Sequence, residues 1–146
     1  MTTAAQVLKA KPDSAVYTTT PDASVFEAVS EMARRNVGAL MVMEGEDVVG
    51  IVTERDYARK IVLLARASRD TEVQDIMTSP VMYVQPTQTV EECMALMTEK
   101  RLRHLPVMDD GELRGVISIG DLVKQVITDQ KHVIEQLEHY IRGQPA

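Results

Sequence analysis

Sixty-five residues after Pro21 comes Pro86, and the same interval joins much of the rest of the chain to itself. Val16 pairs with Val81, Val25 with Val90, Glu27 with Glu92, and Met32 with Met97. The series runs on through Leu40 and Leu105, Val42 and Val107, Met43 and Met108, Gly50 and Gly115, and Asp56 and Asp121, with no gap. A shared phase that preserves turns and hydrophobic pattern marks two copies of one unit. A unit of roughly 60 residues buries too little of its surface to be comfortable alone. The expectation is therefore two copies packed through a shared apolar face about a pseudo-twofold axis, with clefts where the lobes meet.

Each copy reads as strand, helix, strand, strand, helix. Val16 to Thr18 suits a short strand. Ser24 with Glu27, and Thr89 with Glu92, each have the spacing of a capping box, in which hydroxyl and carboxylate serve backbone N–H groups reciprocally. Val25, Ala28, Val29 and Met32, like Val90, Cys93, Met94 and Met97, recur at helical spacing, and these helices should end near Asn36 and Arg101. Hairpins are expected from Ala39–Met43 with Val48–Val52, and from His104–Met108 with Leu113–Ile117, the second turn carrying Asp110-Gly111. A helix should follow each, over about 54–67 and 120–128. The stripe of Val133, Ile134, Leu137, Tyr140 and Ile141 predicts one more helix over 129–142, ended by Gly143 and Pro145. The fold class is α/β (α+β), with repeat 1 over 9–67, a linker and repeat 2 over 68–128, and a C-terminal helix and tail over 129–146.

Composition narrows the function. With 16 basic and 22 acidic residues the net charge is −6, and aromatics are only 3%. That argues against nucleic acid, which needs basic charge and stacking residues. A single cysteine excludes a disulfide framework, and Cys93 reads as a small core residue. His132 and His139 lack further ligands for a metal site. No apolar run approaches the ~20 residues of a membrane span, and the first residues lack a signal-peptide core, so a cytoplasmic protein is expected. No serine, histidine and aspartate grouping suggests an enzyme.

The strand-to-helix junctions are the informative places. One reads Gly50-Ile51-Val52-Thr53-Glu54-Arg55-Asp56, the other Gly115-Val116-Ile117-Ser118-Ile119-Gly120-Asp121. Both set a hydroxyl three residues before an aspartate at the start of a helix. One reading is another pair of capping boxes. The other uses the same geometry for a ligand: free N–H groups and the helix dipole attract phosphate, the hydroxyl adds a donor, and the carboxylate accepts from a ribose diol. Ile51 and Val116 could then press on a flat base. The two readings are compatible, since a cap can exchange its partner.

This duplicated pattern, G-h-h-T-x-R-D and G-h-h-S-x-x-D, closely resembles the cystathionine-β-synthase (CBS) domain, and two tandem copies look like a CBS pair, or Bateman module. Asp75-Ile76-Met77-Thr78, Thr20-Pro21, Gln85-Pro86 and His104-Leu105-Pro106-Val107 support the likeness. The resemblance implies a regulatory binder of an adenosine ligand, AMP, ADP, ATP or NAD. It sets Thr53, Arg55 and Asp56 facing Thr78, Val81, Arg103 and His104, and sets Ser118, Gly120 and Asp121 facing Ser14, Val16, Val37, Gly38 and Ala39. Gly120 stands where Arg55 stands, so the second motif lacks a phosphate-facing cation there, and two unlike sites are expected. It also implies a homodimer, for which the C-terminal stripe offers a surface. Nothing beyond that helix follows the second copy, so a nucleotide signal would pass to an unknown downstream protein or through the dimer. The rival reading is a constitutive interaction scaffold with non-functional clefts.

Overall fold

Hydroxyl side chains start most of the helices in this computed structural model, which describes residues 1–13 and 15–143. Thr3, Ser24, Thr53, Thr89 and Ser118 each accept from a backbone N–H three residues on. They open α1 (Ala4–Ala10), α2 (Val25–Arg35), α3 (Glu54–Tyr57), α4 (Val90–Lys100) and α5 (Ile119–Ile141). The strands are β1 (Thr18–Thr19), β2 (Ala39–Glu44), β3 (Asp47–Thr53), β4 (His104–Asp109) and β5 (Glu112–Ser118). Helices α2 and α4 end at Asn36 and Arg101, both in the left-handed conformation at φ 55° and 56°.

Residues 15–82 make one compact unit, and the chain on either side of them makes the other. In the first, β1 runs parallel to β2, which pairs antiparallel with β3. Its core gathers Val25, Ala28 and Met32 of α2 with Leu40, Val42 and Val52 of the hairpin and Val73 and Ile76 from the segment after it. In the second unit β4 pairs antiparallel with β5, and the counterpart of β1 shrinks to one parallel bridge between Val84 and Val107. Its core joins Val90, Cys93 and Met97 of α4 to Leu105, Val107, Ile117 and Leu122, and also to Ala4 and Val7 of α1. Burial, and secondarily Glu92, pushes the Cys93 thiol pKa up, as befits an inert core residue.

The hairpins repeat down to a register shift, between Val42 and Met43 in one and between Val107 and Met108 in the other. Several elements differ from expectation. The first strand is at Thr18–Thr19, where its backbone meets Met41 and Val42, rather than from Val16. Ser24 caps Glu27, but Thr71 and Ser68 carbonyls take the next N–H groups of α2, at Val25 and Phe26. The helix expected over 54–67 is α-helical only to Tyr57 and continues as a π-helical turn, Ala58–Val62. That wider turn keeps Ile61 buried and lets Lys60 donate to the Ile76 carbonyl at 2.8 Å. The two C-terminal helices expected at 120–128 and 129–142 are one helix, α5, because nothing in Thr128-Asp129-Gln130 interrupts the helical ladder. The α1 helix was not anticipated. The Pro145 stop lies outside the described residues, as does Ser14.

Candidate functional site

Both hydroxyl–aspartate motifs are closed capping boxes. In the first, Asp56 N donates to Thr53 Oγ1 at 3.1 Å while Thr53 N donates to Asp56 Oδ2 at 3.1 Å. In the second, Asp121 N donates to Ser118 Oγ at 3.2 Å and Ser118 N to Asp121 Oδ2 at 2.8 Å. The strands deliver these residues at equivalent places: Thr53 is the register partner of Ala39, and Ser118 of His104. The first helical N–H of each motif is turned inward to the adjoining junction, Glu54 N to the Gly38 carbonyl and Ile119 N to that of Arg103.

The junctions thus run beside the motif of their own copy. In the structure Gly38 and Ala39 adjoin Thr53, and Arg103 and His104 adjoin Ser118. Thr78 lies over β3, exchanging backbone hydrogen bonds with Ile51 at 3.1 and 2.8 Å, and its hydroxyl sits 3.4 Å from Asp56 Oδ1. Gly50 makes this approach possible: a Cβ there would stand 2.5 Å from Met77 Sδ and 3.2 Å from the Thr78 carbonyl. Ile51 is buried, while Val116, Val16, Val37 and Val81 are half-buried. Arg55 and Gly120 are exposed on the first turns of α3 and α5.

The electrostatics of the two motifs differ. Asp56 is joined from its own helix by Lys60, 3.4 Å from Oδ1. Asp121 is met by Lys11, whose Nζ lies 3.1 Å from Oδ2 and donates to the Val116 carbonyl at 2.8 Å. The second motif therefore has a cation after all, brought by a distant segment instead of by position 120. His104 is half-buried beside it. Burial holds its pKa below the usual histidine value, Asp121 opposes that, and Lys11 and Arg103 add to it, so the neutral imidazole is favoured. Lys60 was legible as an i+4 partner of Asp56. Lys11, 105 residues before Val116, carried no local signal.

Among the described residues no three His, Cys, Asp or Glu side chains gather as a metal site, and no helix is long and apolar enough to cross a membrane. Comparison with known proteins gives the family context. Residues 6–63 and 73–128 each match the CBS domain. The chain is 42% identical to the mitochondrial CBS domain-containing protein CBSX3 of Arabidopsis thaliana over 97% of its own length and 73% of that protein. A solved structure of a Burkholderia ambifaria MC40-6 protein with CBS domains is 60% identical, covering 88% of this chain and 96% of that one, with a TM-score of 0.85. The fold is shared too with CBSX2 in complex with AMP, at 23% identity and a TM-score of 0.72 over 88% of this chain and 98% of that one. Two tandem repeats, their matching hairpins and their duplicated hydroxyl–aspartate junctions make this chain a member of the CBS-domain family.

Proposed function

We propose that this chain is a regulatory module that binds an adenosine nucleotide (AMP, ADP, ATP or NAD) and signals by a change of shape or of partner affinity. The observation that carries the reading is the duplication itself. Two half-buried carboxylates, Asp56 and Asp121, stand at equivalent helix starts, each beside a hydroxyl and a strand end. Capping alone needs no such repetition. A ribose diol can donate to each carboxylate, and phosphate oxygens can accept from Thr53 or Ser118 and from the nearby cations. CBSX2 shows that a chain of this fold takes AMP. CBS-domain proteins are generally regulatory rather than catalytic. Because Arg55 has Gly120 as its counterpart, the two motifs should bind with unequal affinity. Calorimetric titration with AMP, ADP, ATP and NAD tests the reading, and absence of heat with all four rejects it.

The scaffold alternative draws on one specific observation: both capping boxes are complete without ligand. In either case a second copy of the chain is the proposed cover for α5. From residue 131 to the end of α5 every side chain is exposed, including Val133, Ile134, Leu137 and Ile141. Lys124 and Lys131 lie toward one end of the helix and Glu135 and Glu138 toward the other. Asp121 and Asp129 share the lysine end, so both ends of the helix carry mixed charge.

A further inference from the structure

The two motifs close their strand edges by different means. In the first, the Ile51 carbonyl accepts from the Thr78 backbone N–H. In the second, the equivalent carbonyl, Val116, accepts from the Lys11 ammonium, which also holds Asp121. That backbone bridge is a reciprocal pair of main-chain hydrogen bonds, so opening it means moving the chain itself. A single lysine side chain can swing away at the cost of two contacts.

Both side chains of the Lys11–Asp121 pair are about four-fifths withdrawn from solvent, at 22% and 20% exposure. The contact is therefore stronger than an open surface pair, yet it is not sealed inside the protein. Two of the three ammonium donors are spent on these acceptors. The anchor of the segment is elsewhere. Ala4 N donates to Gln88 O at 2.8 Å, Val90 N to Thr2 O at 2.9 Å, and Ala4 and Val7 are in the core. Lys11 lies just past α1, so it can leave Asp121 while the helix stays in place.

We propose that Lys11 is a tethered competitor at the second motif, occupying the Asp121 carboxylate until the hydroxyls of a nucleotide sugar displace it. This rests on the nucleotide reading of the preceding section. The lysine takes the place of a ligand donor, so the apparent affinity of the second site is reduced by the fraction of time that Asp121 is occupied.

The test is calorimetry with AMP on the wild-type chain, Lys11→Met and Lys11→Arg. The competitor role predicts that Lys11→Met binds about three- to tenfold more tightly at one of the two sites. Lys11→Arg, which keeps the charge, should stay near wild type. AMP binding that Lys11→Met leaves equal or weakens overturns the competitor role while leaving the nucleotide reading in place. No binding by any of the three proteins rejects the nucleotide reading and the competitor with it.

Discussion

The Thr78 hydroxyl reaches the Asp56 carboxylate at 3.4 Å, across 22 residues of sequence. It joins the segment after the first copy to the acid that starts α3, and Lys60 approaches the same oxygen, Oδ1. Asp56→Ala removes these partners together with the Thr53 cap. It should lower stability by about 1 kcal/mol through the cap and weaken AMP binding by about 1–3 kcal/mol through the charged hydrogen bonds. Urea unfolding and calorimetry read the two effects separately. Thr78→Val should change both less, since the hydroxyl contact is long and exposed.

The mirror substitution, Asp121→Ala, should weaken the other site and leave the Asp56 site intact. Its stability loss should exceed that of Asp56→Ala, because it strands a partly buried Lys11 ammonium as well as removing a cap. Comparing the two variants in one denaturant series checks the order.

Lowering the pH should destabilise the protein through His104. Its folded pKa lies below its unfolded value, chiefly through burial. The unfolded chain therefore takes up the proton first. The contribution is fully present above the unfolded value of about 6.5 and is lost as pH falls through the window below it. Thermal melts between about pH 7.5 and about pH 5.5 should show a falling Tm, and His104→Gln should flatten the slope.

Gly50→Val should cost about 1–3 kcal/mol by overpacking. Met77 can shift its sulfur, but the Thr78 carbonyl belongs to the backbone bridge with Ile51. Chemical denaturation measures the loss. Gly115→Val should cost less, since the nearest atoms there are the tips of the Leu8 side chain.

Leu137→Glu should weaken the proposed pairing of two α5 helices into a dimer, because it sets a charge in the middle of the exposed α5 stripe. Sedimentation velocity over a range of concentrations should show the dimer shifted toward monomer, while the unfolding midpoint of the monomer is unchanged. A dimer of undiminished strength removes α5 from the interface.

Legibility followed the range of the interactions. The hairpins, the helix ends at Asn36 and Arg101 and the paired hydroxyl–aspartate junctions were readable because their causes lie within a few residues: periodicity, turns and i+3 caps. The π turn at Ala58–Val62 was not, since its residues are ordinary helix formers and tertiary contacts at Ile61 and Lys60 decide it. The boundary between two helices at Thr128 was inferred from the end of the repeat, and repeats do not break helices; only residues such as glycine and proline do. Lys11 was hidden for the plainest reason. Its partners Val116 and Asp121 belong to the second copy, and no local pattern announces a contact made by the fold alone.

The packing of α1 against α4, Val84 and β5 also bears on how the protein is made. A ribosome releases residues 15–82 as a stretch that already contains every strand of its sheet and can collapse while synthesis continues. The dozen residues emerging before it must wait, with Ala4 and Val7 still wet, until more than a hundred others have followed. The segment carrying α1 is thus among the last pieces to settle, and a substitution that unseats Val7 should trouble maturation of the unit around residues 83–143 more than that of residues 15–82.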